Sequence, residues 1–118
     1  MASATDVPSP AAEECLVVYV TVPSREVGLS LSQQLVSSQL AACVNMVPGV
    51  TSVYQWEGKV TTDEELLLVI KTRRALLQEL TVAVKANHPY TTPEVLALPV
   101  VGGSPDYLAW LLASTKSS

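Results

Sequence analysis

His88 is the only histidine of the sequence and the side chain best suited to soft-metal chemistry. A neutral imidazole binds copper or zinc through a ring nitrogen. His88 also follows a predicted helix, and the dipole of a helix favours a cation at its C-terminus. Two hypotheses therefore stay open at this position: His88 is a metal ligand, or it caps the end of a helix.

Carboxylates supply the oxygen ligands that a harder divalent cation prefers. Glu94 is the most interesting of them because it begins a predicted core strand, where a charge without a partner is costly. Lys71 ends an apolar segment and is the natural partner for Glu94. This pair is either purely structural or part of a cleft that also receives His88 and Tyr90, and we place Glu57 among the cleft residues as well.

The other acidic and thiol groups fit structural roles. The acidic run 63–65 is interpreted as a solvated face. Cys43 lies between Ala42 and Val44, so it is interpreted as a small core residue, with a soft ligand near a subunit junction as the alternative. Cys15 is expected to be partly exposed. Two cysteines are too few for a disulfide framework.

No catalytic constellation can be assembled from this sequence. It has no GxSxG motif and no phosphate-binding loop, and its single histidine has no evident catalytic partner. Gly102-Gly103 precedes a predicted helix whose N-terminus could bind an anion, but a break between strand and helix explains the glycines equally well. We therefore predict a protein without enzymatic activity and without an organic cofactor.

A long β-hairpin is the main element that has to position these residues. Its predicted arms, Ala42–Trp56 and Lys59–Thr72, are each about 14 residues long, whereas an ordinary strand has about 5–6. Glu57-Gly58 is predicted to be the turn between them. Pro48-Gly49 predicts a bulge that separates a buried base from a projecting tip.

The tip of this hairpin carries Tyr54 and Trp56 on one face. A chain of 118 residues has too little other material to cover so long a ribbon, so we expect further copies of the same chain to cover it. Large aromatic side chains are typical interface anchors, and Tyr54 and Trp56 are predicted to lie in a trimer interface. The alternative is that they form the wall of a ligand pocket between subunits.

The remaining patterns complete a single α+β domain. Their order, β-α-β-β-α-β plus a short C-terminal helix, is the ferredoxin-like topology. Residues 15–113 are assigned to this domain, 1–14 to a disordered tail and 114–118 to a frayed end. The individual predictions are a strand at 16–22, a helix from Ser24 to near Ala41, a helix at 73–86 capped by Thr72, a strand at 94–101, and a helix starting at Ser104-Pro105 that buries Tyr107.

Charge and hydropathy exclude two classes of partner. The net charge is −4, and no basic patch stands out, so nucleic acid is not expected as a partner. The longest apolar run, 16–22, is far shorter than the roughly 20 residues of a membrane-spanning helix. The N-terminus has neither a signal-peptide pattern nor an Arg-rich transit sequence, and we expect a cytoplasmic protein.

Four long segments resemble the CutA family of divalent-cation-tolerance proteins: ACVNMVPGVTSVYQWEGKV, LLLVIKT, NHPYTTPEVLALPV and DYLAWL. The resemblance covers about residues 16–113. It implies a ferredoxin-like subunit that assembles through its long hairpins into a homotrimer like that of the PII signalling proteins. It also implies a role in tolerance of copper and other divalent cations.

The resemblance gives conflicting indications about a copper site. Some bacterial relatives build one from a Cys in the first strand and a second His just before the equivalent of His88, whereas this sequence has Val20 and Asn87 there. We therefore expect weak binding of copper or zinc, with His88 and Glu94 as ligands, in clefts between the subunits of a homotrimer. The alternative is a PII-like sensor or scaffold that binds a small anion or a partner protein through Lys71, Tyr90 and the Gly102-Gly103 turn.

Overall fold

A four-stranded antiparallel sheet is the centre of the computed structural model, which describes residues 10–117. Its strands are β1 (Cys15–Val22), β2 (Cys43–Trp56), β3 (Lys59–Arg73) and β4 (Leu96–Pro99), in the spatial order β2-β3-β1-β4. The helices are α1 (Pro10–Glu13), α2 (Arg25–Ser37), α3 (Leu77–Asn87), which follows a 3-10 turn at Arg74–Leu76, and α4 (Pro105–Ala113). The predicted ferredoxin-like α+β fold is confirmed.

Two serines start helices as the sequence predicted. The hydroxyl of Ser24 accepts a hydrogen bond from the amide of Val27 at the start of α2. Ser104 accepts one from the amide of Tyr107, and Pro105 occupies the first turn of α4. Each hydroxyl satisfies an amide that has no partner inside its helix. Helix α2 ends earlier than expected, because Gln39 adopts a left-handed backbone conformation with φ of 61°.

The predicted helix cap at Thr72 is wrong. Thr72 lies in β3, is fully buried, and donates its hydroxyl hydrogen to the carbonyl of Leu40 at 2.6 Å. The 3-10 turn that follows has no side-chain cap. A buried hydroxyl needs a partner, and this one finds it in the segment that connects α2 to β2.

The core lies between one face of the sheet and the helices α2 and α3. Alternate residues of each strand point to this face. Residues at the intervening positions, such as Val17, Tyr19, Leu67 and Val69, point away from these helices and are only half-buried. We call this second surface the open face. The main core residues are Val18, Val20, Val22, Leu31, Leu35, Leu68, Ile70, Leu80 and Val84.

The hairpin has the register that the sequence predicted. Trp56 pairs with Lys59, and the pairing continues along the ribbon to Cys43 and Lys71. One extra residue bulges out of β2 between Val47 and Val50, at the Pro48-Gly49 step. Glu57 and Gly58 both have positive φ, 51° and 79°, which is the geometry of a tight two-residue hairpin turn. The ribbon gives the molecule a longest dimension of 54 Å.

The predicted tail 1–14 is partly ordered. Helix α1 buries Ala12, and the amide of Arg74 donates to the carbonyl of Glu14 at 2.6 Å. Cys15 is fully buried and its thiol donates to the carbonyl of Ala11, so the expectation of a partly exposed Cys15 is wrong. The rest of this tail, residues 1–9, lies outside the described residues.

The C-terminal end is also ordered beyond residue 113. Thr115 is buried, and the amide of Lys116 donates to the carbonyl of Gln39 at 3.0 Å. The frayed end predicted from residue 114 is therefore wrong for these two residues, and residue 118 is outside the described range. Tyr107, which was expected to be buried, is 43% exposed. None of the described helices is long and apolar enough to cross a membrane.

Candidate functional site

His88 lies at the C-terminal end of α3 and is only 8% exposed. Its Nε2 lies 2.8 Å from the carbonyl oxygen of Thr21, and its Nδ1 lies 3.1 Å from the amide nitrogen of Tyr90. A carbonyl accepts and an amide donates, so these partners assign the neutral tautomer with its proton on Nε2. In this conformation neither ring nitrogen is free to bind a metal ion.

Tyr90 connects the loop after α3 to the hairpin. Its ring contacts the imidazole of His88, with ring centroids 4.7 Å apart. Its hydroxyl donates to a carboxylate oxygen of Glu65 at 2.9 Å. Burial, followed by this hydrogen bond and the charge of Glu65, raises the pKa of Tyr90 to about 12. The Tyr90 hydroxyl therefore stays protonated and donating throughout the physiological pH range.

Glu65 is a site residue that the sequence analysis missed. It is 7% exposed and pairs with Val50 beside the bulge, so interpreting the whole acidic run 63–65 as a solvated face is wrong. Glu64 does fit that interpretation, because it is exposed and accepts a hydrogen bond from Thr51. The usable signal was position: Glu65 directly precedes the apolar run 66–70, where the ribbon enters the core.

A second tyrosine–carboxylate pair lies further along the hairpin. The hydroxyl of Tyr54 donates to the carboxylate of Asp63. This hydrogen bond is the main cause of the raised pKa of Tyr54. The neighbouring Trp56 is 63% exposed in the single chain. The assignment of Tyr54 and Trp56 to an interface stays a prediction.

Glu94 lies two residues before β4 instead of inside it. Partial burial, and then the nearby charge of Glu65, raise the pKa of Glu94. Its predicted partner is elsewhere: the ammonium of Lys71 contacts the side-chain oxygen of Asn45 and lies 3.9 Å from the sulfur of Cys43. The expected Lys71–Glu94 pair is therefore wrong.

The structure separates the predicted cleft residues into three places. Glu57 lies in the turn at the hairpin tip, and Lys71 lies at the hairpin base. Lys71 lies six positions along β3 from Glu65, which is roughly 20 Å. The third group, which we call the carboxylate–tyrosine cluster, is linked by hydrogen bonds and electrostatic interactions and consists of Tyr54, Asp63, Glu65, Tyr90 and Glu94.

The carboxylate–tyrosine cluster contains no metal centre that is complete within one chain. Across residues 10–117, no three or more His, Cys, Asp or Glu side chains are grouped so that they could hold a metal ion. The only salt bridge among the same residues joins Lys116 to Glu79, so Asp63, Glu65 and Glu94 form no salt bridge within residues 10–117. The cluster therefore brings three carboxylates together without a salt bridge among the described residues.

Two clefts accompany these features. A cleft of about 380 Å³ lies beside the bulge and is lined by Arg25, Gly49, Glu64 and Glu65, among others. A larger one, of about 580 Å³, lies between α1 and Arg73-Arg74 and includes none of the predicted site residues. Of these two clefts, the smaller one adjoins the carboxylate–tyrosine cluster.

Comparison with known proteins decides the family. Residues 16–114 match the family model described as CutA1 divalent ion tolerance protein. The chain belongs to the CutA family. The resemblance noted from the sequence is confirmed over nearly the same range.

Individual CutA proteins support this assignment. The chain is 60% identical over 102 residues to "Protein CutA, chloroplastic" of Arabidopsis thaliana, covering 86% of this chain but 56% of that protein. It is 52% identical over 99 residues to the divalent-cation tolerance protein CutA of Thermus thermophilus, covering 84% and 96%. It matches the crystal structure of CutA1 from Oryza sativa with a TM-score of 0.89 at 57% identity, covering 92% and 99%. The chain thus spans little more than half the length of the Arabidopsis CutA protein.

Replacing Glu65 by glutamine should lower the pKa of Glu94. The change removes the negative charge that helps to raise this pKa, whereas the contribution of burial remains, so the pKa should fall without reaching the ordinary value. Glutamine still offers a carbonyl oxygen to the hydroxyl of Tyr90. Carbon-13 NMR of the Glu94 carboxyl group in an acid titration measures the effect.

The matched control is Glu64→Gln, because Glu64 is the exposed neighbour of Glu65. It should leave the pKa of Glu94 unchanged, and an equal fall in both variants would contradict the assignment.

The sign of the effect on stability follows from the linkage between protonation and folding. When a carboxyl group has a higher pKa in the folded chain than in the unfolded chain, its contribution to stability is fully present at pH values below the unfolded pKa. This contribution is lost as the pH rises through the folded pKa. Glu65→Gln should make this loss smaller.

Proposed function

We propose that this CutA-family chain forms a homotrimer that binds divalent cations weakly and contributes to divalent-cation tolerance without catalysis. The observation that carries the proposal is the family match over residues 16–114. The Thermus thermophilus relative is named for divalent-cation tolerance, which agrees with this role. The carboxylate–tyrosine cluster adds a physical reason, because its carboxylates form no salt bridge among the described residues and attract cations.

The hairpin supports the oligomeric part of the proposal. Its tip exposes apolar side chains on both faces: Tyr54 and Trp56 on one, Val53 and Val60 on the other. The open face of the sheet adds half-buried apolar residues such as Leu67 and Val69. Exposed apolar surface of this kind is typical of an interface between proteins. The trimeric state itself rests on the resemblance to PII-like assemblies.

The geometry changes which residues are proposed as metal ligands. Both ring nitrogens of His88 are occupied, so the geometry gives no support to His88 as a copper or zinc ligand. Glu94 is retained as a proposed ligand, since a cation near it would relieve the repulsion from Glu65. Oxygen ligands suit hard cations better than copper. Water or a second copy of the chain would have to complete the coordination.

The anion-binding alternative receives no support from the site. Lys71 and Tyr90, two of the groups expected to bind an anion, are occupied by Asn45 and Glu65 respectively. The cluster around Tyr90 is acidic and repels anions. A partner protein and a cytoplasmic location stay predictions, and the Arabidopsis relative carries the word chloroplastic in its name.

Titration with Mn²⁺ tests the proposed function. The paramagnetic ion should broaden the carboxyl signal of Glu94 at millimolar concentration, because weak binding places it beside this group. Magnesium should compete with it. Glu94→Gln should weaken the binding, whereas Asp106→Asn, which alters an exposed carboxylate of α4, should not. Equal broadening of Glu94 and Asp106 would show that manganese reports only surface charge, and the proposed site would be wrong.

A further inference from the structure

We propose that His88 is a positioning residue and not a metal ligand: its neutral imidazole links Thr21 to Tyr90 and thereby holds the Tyr90 hydroxyl on Glu65. This inference goes beyond the proposed function and does not depend on it. It assigns a role to the only histidine of the chain from its contacts alone.

The first step is the match between the imidazole and its two partners. A neutral imidazole has one N–H donor and one acceptor nitrogen. The N–H at Nε2 donates to the carbonyl oxygen of Thr21, near the end of β1, and Nδ1 accepts from the amide of Tyr90. A metal ion at Nδ1 would displace the Tyr90 amide, and one at Nε2 would displace the Thr21 carbonyl. Either displacement leaves a backbone group without its partner at a nearly buried ring.

The second step is the local backbone around His88. Pro89 disfavours the helical conformation for the residue before it, and His88 has φ of −104° and ψ of 140°. This extended conformation ends α3 and brings the amide two residues later within reach of Nδ1. The His-Pro-Tyr order therefore builds the contact locally, and the Thr21 carbonyl fixes the ring from the other side.

The third step is the consequence for Glu65. The imidazole contacts the ring of Tyr90 as well as its amide, with centroids 4.7 Å apart and an angle of 53° between the rings. The hydroxyl at the far end of that ring donates to the buried carboxylate of Glu65. His88 thus connects the end of β1, through the loop, to the hairpin. Removing it should free Tyr90 and leave Glu65 without this donor.

Hydrogen exchange at the Tyr90 amide tests the linkage. His88→Ala removes the acceptor, so exchange of this amide should become about 5- to 30-fold faster, the change expected from losing one hydrogen bond. His88→Asn should keep exchange close to wild type, because an asparagine side chain accepts from the amide two residues later. Asn87→Ala is the matched control, since Asn87 is exposed and bonds within α3. Unchanged exchange in His88→Ala would overturn the proposal.

Nitrogen NMR of the His88 ring tests the same point in the unaltered protein, so the proposal stays falsifiable if His88→Ala does not fold. The ring should show a proton on Nε2 and none on Nδ1, and an equimolar amount of Zn²⁺ should leave both signals unmoved. A zinc-induced shift of either nitrogen would overturn the positioning role. Failure of Mn²⁺ to affect Glu94 would overturn only the proposed function, so the two failures are distinguishable.

Discussion

Replacing Trp56 by alanine should convert the proposed trimer largely to monomer while leaving the secondary structure of the subunit intact. Trp56 is 63% exposed in the single chain and lies at the hairpin tip, where it pairs with Lys59 outside the hydrophobic core. Tryptophans at the centre of interfaces are hot spots, and truncating one costs about 2–4 kcal/mol. At about 1.4 kcal/mol per factor of ten, association should weaken at least about thirtyfold.

Light scattering at micromolar concentration measures the mass, and circular dichroism reports the secondary structure. Val82→Ala is the control, because Val82 is 62% exposed but lies on α3, away from the hairpin. It should leave the mass unchanged. A wild-type protein that is already monomeric, or a Trp56→Ala protein of unaltered mass, would contradict the assignment of this interface.

Replacing Leu68 by alanine should produce a large loss of stability in the subunit itself. Leu68 is fully buried on β3, between Val20 of β1 and Met46 of β2. Truncating a buried leucine removes apolar contacts and leaves a cavity, which together lower the free energy of unfolding by about 2–5 kcal/mol. Urea denaturation measures the change. The measurement belongs in the Trp56→Ala background, so that loss of assembly does not add to the effect.

Leu67→Ala is the matched control for Leu68→Ala. Leu67 is the next residue of β3, on the open face, and pairs with Thr21 and Val47. In the monomeric background it should cost clearly less stability than Leu68→Ala, because Leu67 is only half-buried. In the otherwise unaltered chain it should weaken assembly. Equal losses for both changes in the monomer would show that the open face is covered within one chain.

Much of the fold was predictable because its signals are local. The turn at Glu57-Gly58 requires positive φ, which glycine adopts without strain. The alternation along both arms then determines which residues pair, from Trp56 and Lys59 downwards. Ser24 and Ser104 cap helices through amides three residues away. The caps and the turn join residues that are close in the chain, and the register of the hairpin then extends from the turn, so the pattern contains the information.

Two of the errors have a different cause, namely partners that are distant in the chain. Thr72 has the chemistry of a helix cap, but its hydroxyl bonds the carbonyl of Leu40, 32 residues away. Lys71 was paired with Glu94 on charge alone, whereas the register of the hairpin places it beside Cys43 and Asn45. Composition suggests which groups need a partner, and only the packing of the strands decides which partner is near.

By itself the sequence determined the ferredoxin-like order of elements, the length and register of the hairpin, and the CutA family. These follow from hydrophobic periodicity, turn residues and long matched segments, all of which are readable along the chain. Only the tertiary structure decided that His88 bonds Thr21, 67 residues away, and that Glu65 is a buried carboxylate held by Tyr90. A side chain's chemistry depends on which of its donors and acceptors are already used, and long-range packing determines that.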